Sequence, residues 1–254
     1  RVYTETAHNA LTLPDYFSHR FEDKSRLLRI ISAVVILLFF AIYSASGMVA
    51  SARLFEIVLD LPYSTALIFG TFATLAYVFL GGFLAVSWTD TIQAAMMCLA
   101  LIIAPVAVMI DLGGFTATVE QVRSVDPTHL NMLQGQTFIG VISLLAWGLG
   151  YFGQPHILVR FMGISSPQAI KKSRRIATVW VLISLTAAIM IGVSGRMFLG
   201  DGLLLNDGNQ ETIYISMVAK IFPVFIAGIF LSAILAAIMS TADSQLLVTA
   251  SAIT

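Results

Sequence analysis

Charge is scarce in this sequence. Only 11% of its 254 residues are Asp, Glu, Lys or Arg, whereas soluble domains contain about 25%. The 14 basic and 14 acidic residues cancel at pH 7, so no net field points to nucleic acid or to an acidic partner. Apolar residues dominate instead, with 58% hydrophobic positions and a mean hydropathy of +0.89. The composition therefore predicts a membrane protein.

Cysteine is almost absent as well. Cys98 is the single cysteine and lies in the apolar run 94–110, which excludes an internal disulfide and a cysteine-based metal cluster. The sequence also lacks a phosphate-binding glycine loop, a metalloprotease His-Glu pair and a nucleophile elbow. We therefore expect neither an enzyme nor a bound cofactor. Because the chain opens on Arg1 without a signal peptide and stops inside an uncharged stretch, we expect an internal fragment of a longer protein.

Six stretches free of charged residues are long enough to span a bilayer, which takes about 20 residues. The second and fourth exceed one span and contain glycines, which indicates a shorter helix joined to a bent or reentrant piece. The six stretches are 30–52, the segment between Asp60 and Asp90, 91–110, the segment between Asp126 and Arg160, 176–195 and 221–242. We expect one transmembrane domain over 1–254.

The cations are distributed unevenly over the connecting segments. Segments 1–29 and 160–175 contain ten of the 14 cations, and the segments expected on the opposite side contain the other four, Arg53, Arg123, Arg196 and Lys220. The positive-inside rule then places the 1–26 tail, the basic 160–175 loop and the end of the sixth stretch in the cytoplasm. Loops 111–136 and 199–220 are expected outside, with an amphipathic helix over 115–125 at the outer interface.

The sixth stretch contains the sharpest polar pattern. One helix face presents small and hydroxyl side chains, namely Ala233, Ala236, Ala237, Ser240, Thr241 and Ser244. Two adjacent hydroxyls and a backbone carbonyl one turn earlier are hard oxygen ligands of the kind an alkali cation prefers. The alternative is a small-residue packing seam whose hydroxyls bond back to their own helix. Asp243 follows at the expected cytoplasmic mouth, where it either attracts a cation or is solvated.

Three further places contain candidate functional residues. Tyr43 shares a helix face with Ser46, Gly47, Ala50 and Ser51 and is either a cavity donor or a packing anchor. Asp90 opens the third stretch, where the helix dipole favours an aspartate whatever its function. In 147–156 aromatic residues alternate with glycines before Pro155, a pattern that loosens a helix and suits a substrate-lining segment. Trp147 and Tyr151 share a face there, with an interfacial aromatic belt as the alternative. His156 is either a proton relay or a structural histidine.

Five spaced motifs resemble the sodium/solute symporter family, and within it the sodium/proline branch. They are NALTLPDYF at 9–17, RFEDKSR at 20–26, GGFLAVSWTD at 81–90, GLGYFGQPH at 148–156 and SAILAAIMSTADSQLL at 232–247. The resemblance implies two inverted five-helix repeats, of which this chain supplies core helices three to eight as six transmembrane helices.

The same resemblance implies roles for individual residues. Ala237, through its carbonyl, and Ser240 and Thr241, through their hydroxyls, would bind sodium, and Asp90 would assist its passage toward the cytoplasm. Substrate binding or gating would involve Tyr43, Trp147, Tyr151 and Pro155. The family completes its sodium site with carbonyls of a first core helix that this sequence lacks, so only half of the site is expected here.

The function that follows is sodium-coupled uptake of L-proline across the plasma (inner) membrane, with no nucleic acid and no obligate protein partner. Two alternatives remain. One is a transporter-like sensor domain fused to a signalling kinase, and the other is sodium symport of another small solute such as a sugar, a vitamin or another amino acid.

Overall fold

The computed structural model describes residues 10, 12–131, 133–151, 153–200 and 212–253, with side chains for all of them except 77–85, 147 and 253. Within these ranges the chain forms nine α-helices, one 3-10 helix and no strand, which confirms the all-α prediction. The helices are α1 (Leu13–Arg20), α2 (Leu27–Leu59), α3 (Tyr63–Asp111), α4 (Phe115–Val125), α5 (Phe138–Tyr151), α6 (Pro155–Met162), α7 (Ala169–Leu199), α8 (Ile213–Ile221) and α9 (Val224–Ile253). The 3-10 helix Pro127–Leu130 follows α4.

Most of these helices have the length and composition of membrane spans. Five described stretches are long and apolar enough to cross a bilayer, and a sixth, Tyr63–Ala76, is shorter. The five are Leu27–Leu59, Val86–Asp111, Phe138–Met162, Ala169–Leu199 and Val224–Ala252. Large apolar side chains such as Phe138 and Phe225 are exposed on them, as a lipid environment permits. The chain is therefore a multi-pass membrane protein, whereas the inverted-repeat arrangement stays a prediction.

The second and third predicted stretches lie in one helix. α3 runs without interruption from Tyr63 to Asp111, so the bent or reentrant piece expected in the second stretch is not observed, although Tyr63–Ala76 and Val86–Asp111 are separate apolar segments of this helix. A glycine lowers helix stability by only about 1 kcal/mol relative to alanine, and a backbone amide in lipid finds few partners outside its own helix. Asp90 consequently lies in the interior of α3 rather than in a first turn, and the helix dipole does not explain its position.

The last helix extends further than its charge-free stretch indicates. α9 continues past Asp243 to Ile253, and the Asp243 side chain is fully buried. Of the two alternatives for Asp243, the solvated side chain at a helix mouth is therefore wrong. A charge-free stretch ends by definition at the first acidic residue. The Asp243 carboxyl group is nevertheless enclosed by protein, and its Oδ1 lies 3.3 Å from the Ser244 hydroxyl.

The fourth predicted stretch is interrupted where its glycines and proline occur. α5 ends at Tyr151, the Gly153 amide donates to the Gly150 carbonyl at 3.0 Å, and α6 begins at Pro155. Gln154 has extended backbone angles, φ −68° and ψ 112°. Proline disfavours the helical conformation in the residue before it but suits the first turn of a new helix. The expected bend in this segment is thus observed.

The short helix α1 is well defined by its ends. The Thr12 hydroxyl accepts from the Asp15 amide at 3.2 Å, and Asp15 lies in the first turn while His19 and Arg20 lie in the last. This order of charges complements the helix dipole. Arg29 of α2 forms an ion pair with Asp15 at 3.3 Å, so α1 is fixed to the start of α2.

The connecting segments contain other short helices. The amphipathic helix expected over 115–125 is observed as α4, on which Thr118 and Val122 are buried. Residues 201–211 of the expected 199–220 loop lie outside the described part of the structure, and the end of the loop forms α8.

The chain divides into two compact units. The first comprises Arg1–Thr91, Ile142–Ile176 and Ile238–Thr254. A hydrophobic cluster in this unit joins Leu13 of α1, Ile36 and Phe40 of α2, and Val248 of α9, with partly buried side chains packed around it, including Leu158 and Val159 of α6. The second unit comprises Ile92–Val141 and Ala177–Ala237. Within it the Tyr214 hydroxyl donates to the Phe230 carbonyl at 3.2 Å.

Candidate functional site

An ion pair within the first unit joins two helices that are far apart in the sequence. Asp90 of α3 accepts a hydrogen bond from the guanidinium of Arg160 on α6. The Asp90 side chain is largely buried, at 13% exposure, and the Arg160 side chain is 41% exposed. Because α6 begins as a separate helix at Pro155, Arg160 can make this contact independently of the course of α5. Asp90 was predicted from the sequence, but its partner was not.

The same guanidinium reaches a third helix. Arg160 Nη2 donates to the Ser244 hydroxyl of α9 at 2.6 Å, and this hydroxyl donates to the Ser240 carbonyl one turn earlier at 2.8 Å. A continuous polar chain therefore runs from the Asp90 carboxylate through Arg160 and Ser244 to the backbone of Ser240. The cue in the sequence is a single arginine flanked by apolar residues in PHILVRFM.

The predicted sodium ligands lie on α9 immediately before this polar chain. Ala237, Ser240 and Thr241 are partly buried and follow one another at i, i+3 and i+4 in an unbroken helix, which places them on one face. Hydroxyl and carbonyl oxygens are neutral, hard metal ligands, which suit a monovalent cation. The carboxyl groups of Asp90 and Asp243 lie further along the same polar region, each next to the Ser244 hydroxyl or its partner Arg160.

The predicted substrate residues flank the helix break or lie on α2. Tyr151 is the last residue of α5 and Pro155 the first of α6, while Tyr43 lies in the middle of α2. Both tyrosine side chains are about half exposed. The side chain of Trp147 lies outside the described part of the structure.

A cleft of about 150 Å³ lies beside the polar chain in the first unit. His156 lines it, and the imidazole packs against the Phe40 ring with 5.6 Å between ring centroids. This contact agrees with the structural alternative for His156. The lining residues are His156, Val159, Arg160, Ser244, Leu247, Val248 and Ser251, so the cleft adjoins the polar chain rather than Tyr43 or Tyr151.

A second polar contact between α2 and α9 was not anticipated. The Ser44 hydroxyl donates to Gln245 Oε1 at 3.2 Å, and both side chains are buried. Each residue is next to one that the sequence singled out, Tyr43 and Ser244 respectively. A serine in an apolar run and a glutamine after an aspartate give no signal of pairing across 201 positions.

The arrangement defines a class of protein. A multi-pass helical chain in which an interrupted helix contributes to a buried polar network has the features of a secondary transporter, where non-helical backbone and intramembrane charges serve ion and solute pathways.

The chain belongs to the sodium:solute symporter family, because the sequence profile of that family matches residues 2–254. It is 54% identical to the sodium/proline symporter of Escherichia coli (strain K12), with all of this chain and 51% of the relative covered. It is 52% identical to the sodium/proline symporter of Salmonella typhimurium (strain LT2), with 100% and 51% covered. Identity to the high-affinity proline transporter PutP of Bacillus subtilis (strain 168) is 47%, with 100% and 53% covered. The chain thus spans about half the length of the curated relatives it matches. No solved structure matches the chain.

Proposed function

We propose that this chain is part of a sodium-coupled symporter that carries L-proline into the cell across the plasma (inner) membrane. The observation that carries the proposal is the similarity of the whole chain, at about half its positions, to relatives named sodium/proline symporters. The polar network around Asp90 gives this similarity a physical basis, because intramembrane charges are costly and occur mainly where they serve transport.

The proposed sodium ligands are the Ala237 carbonyl and the hydroxyls of Ser240 and Thr241. Sodium is cargo here and is bound only transiently, so a few neutral oxygens are adequate. Asp90 is proposed to assist the passage of the ion toward the cytoplasm, since its carboxylate is largely buried yet linked to α9 through Arg160 and Ser244. Sodium enters with the membrane potential, which contributes about 2.3 kcal/mol per charge per 100 mV.

The proposed substrate residues are Tyr43, Trp147, Tyr151 and Pro155, which bind proline or gate its site. In an alternating-access cycle, bound sodium favours an outward-open state in which proline enters. Rocking of one group of helices against the rest then releases both cargoes inside. The break between α5 and α6 gives this segment separate helical pieces that can shift independently.

The proposed orientation follows from the charges. The 1–26 tail, the 160–175 loop and the end of α9 face the cytoplasm, because most of the cations lie on that side. The proposal includes no nucleic acid and no obligate protein partner.

The decisive experiment is uptake of labelled proline by the intact protein in proteoliposomes, with and without an inward sodium gradient. We expect uptake to require the gradient. Uptake that is independent of sodium, or the lack of any proline uptake, would contradict the proposal.

The ligand assignment is tested by replacing two hydroxyls together, Ser240→Ala with Thr241→Ala. We expect the sodium concentration for half-maximal uptake to rise about tenfold or more, since each hydrogen-bonding or ligating group is worth of the order of 1 kcal/mol. Ser232→Ala is the matched control, because the Ser232 hydroxyl on the same helix donates to its own Ile229 carbonyl at 2.6 Å. An unchanged sodium dependence in the double variant would refute the assignment.

A further inference from the structure

The contact between Ser44 and Gln245 carries an inference that rests on the proposed function and deepens it. Gln245 is fully buried and Ser44 is 7% exposed, so this hydrogen bond forms away from solvent. The amide is only half satisfied: its Oε1 accepts from Ser44, whereas its Nε2 is buried and has no hydrogen-bond partner among the described residues. Buried polar groups are otherwise nearly always paired.

An apolar side chain of similar size would avoid this unpaired amide. Leucine or methionine at position 245 could pack between the helices without burying two N–H donors, so helix packing alone does not account for a glutamine here. A polar contact between membrane helices does, however, fix their relative register. The pair therefore sets how α2 lies against α9.

The two ends of the contact lie beside the two proposed binding regions. Gln245 is four residues after Thr241 in the same unbroken helix, which places both on one helix face. Ser44 directly follows Tyr43 in α2, and the two point in different directions, since Ser44 is buried and Tyr43 is half exposed. Nearby, Gly47 of α2 faces Ile238 of α9, since a Cβ at Gly47 would lie in van der Waals contact, 3.6 Å from Ile238 Cγ2. The helices are thus in close contact along this face.

We propose that Gln245 is a positioning residue that couples sodium binding on α9 to proline binding at α2 through its hydrogen bond with Ser44. A shift of the Ser240 and Thr241 turn when sodium binds is transmitted along the rigid helix to the amide one turn later. The amide then sets the position of α2 and of Tyr43. Its unpaired N–H donors allow the amide to change partners as the helix moves.

The experiment measures the coupling itself. Equilibrium binding of labelled proline to the intact, reconstituted protein is recorded at low and at saturating sodium, and the ratio of the two dissociation constants is the coupling factor, which linkage makes the same for either ligand. We expect Gln245→Met to reduce this ratio about fivefold or more while proline affinity at saturating sodium changes less than twofold. Ser44→Ala, which removes the same bond from the other helix by deleting one atom, should act in the same direction.

Three comparisons separate coupling from folding. The double variant Ser44→Ala/Gln245→Met should match Gln245→Met rather than show the product of the two single effects. Thr249→Val is the matched control, because the Thr249 hydroxyl donates to the Gln245 carbonyl within the same helix at 2.7 Å, and its ratio should equal that of the wild type. The ratio is taken on folded, binding-competent protein, so a lower yield does not affect it.

The outcomes distinguish the inference from the proposed function. A wild-type ratio well above one that persists in Gln245→Met and Ser44→Ala would overturn the coupling role and leave sodium-dependent proline binding intact. A wild-type protein that binds proline equally with and without sodium would overturn both.

Discussion

At the scale of single residues, the start of α2 depends on a side chain outside the helix. Arg26, the residue before the helix, has a left-handed backbone with φ 60° and provides no side-chain cap. Asp23 supplies the acceptors instead: its Oδ2 accepts from the Leu28 amide at 2.8 Å and its Oδ1 from the Ser25 amide at 2.9 Å. The Ser25 hydroxyl, followed by the Leu28 amide, lowers the pKa of Asp23 below its ordinary value of 3.8.

Asp23→Asn is predicted to loosen the first turn of α2 and to remove its pH dependence. Because the pKa of Asp23 is lowered in the folded state, the stabilisation is present above its unfolded value near 3.8 and is lost as the pH falls through the folded value. Hydrogen exchange at the Leu28 amide should therefore be about threefold faster in the variant at pH 6. The two proteins should converge once the pH falls below the lowered pKa of Asp23, after correction for intrinsic exchange. Equal protection in both proteins at pH 6 would show that the negative charge of Asp23 does not stabilise the first turn of α2.

Residue types in the sequence identified some of the polar positions in the membrane but not their partners. Asp90 is singled out in the sequence by its place at the start of an apolar stretch and by the family resemblance, and the structure gives it an ion pair. The sequence identifies Arg160 only as one of the cations of the 160–175 loop, and it indicates no role for Gln245. Their roles depend on contacts between positions 70 and 201 residues apart, and no periodicity within one helix contains that information.

At the scale of helices, α2 and α3 pack closely at Gly70. A Cβ added at Gly70 would lie 3.1 Å from Ser51 Cβ and closer still to its hydroxyl oxygen. Ser51 is 1% exposed, so its side chain has little room to move away. Small residues at such contacts allow membrane helices to approach one another.

Gly70→Ala is therefore predicted to destabilise the protein by about 1–3 kcal/mol, as expected for overpacking at a tight contact. Gly192→Ala in α7 is the control, because a Cβ there meets nothing within 4 Å. An alanine at that position should be neutral or stabilising by up to about 1 kcal/mol through helix propensity. Thermal unfolding in detergent measures both variants, and equal melting temperatures would show that α2 and α3 do not pack tightly at Gly70.

Helix boundaries were predictable where local chemistry sets them. Pro155 fixes the start of α6, because a proline removes an amide donor and restricts the residue before it. The paired glycines 81–82 do not interrupt α3, since glycine lowers helix propensity without removing a hydrogen bond. Asp243 does not end α9, because a buried carboxylate can be accommodated by neighbouring protein groups. The groups that surround a buried carboxylate come partly from other helices, so they cannot be predicted from the sequence of one segment.

At the scale of the whole molecule, the neutral total charge conceals an uneven distribution. Ten of the 14 cations lie in 1–29 and 160–175, and Arg53, Arg123, Arg196 and Lys220 are the other four. Arg160, one of the ten, is engaged with Asp90 and Ser244 and so acts within the protein rather than as a simple topogenic charge. With the two apolar segments of α3, Tyr63–Ala76 and Val86–Asp111, counted as separate crossings, nine cations against four still favour the same orientation.

The orientation can be tested with single cysteines, since Cys98 is the one cysteine of this sequence. In a cysteine-free background of the intact protein that includes Cys98→Ser, we introduce Lys172→Cys and, separately, Glu120→Cys, both at exposed helical positions. A membrane-impermeant maleimide added to intact cells should label Glu120→Cys, because α4 is expected at the outer face. Lys172→Cys should react only after the cells are permeabilised, because the 160–175 segment and the start of α7 are expected in the cytoplasm. Labelling of Lys172→Cys but not Glu120→Cys from outside would show that the orientation is the opposite of the proposed one. Asp90 could then no longer serve as an inward exit for the cation. Labelling of both positions from outside would instead show that α5, α6 and the break between them do not cross the membrane.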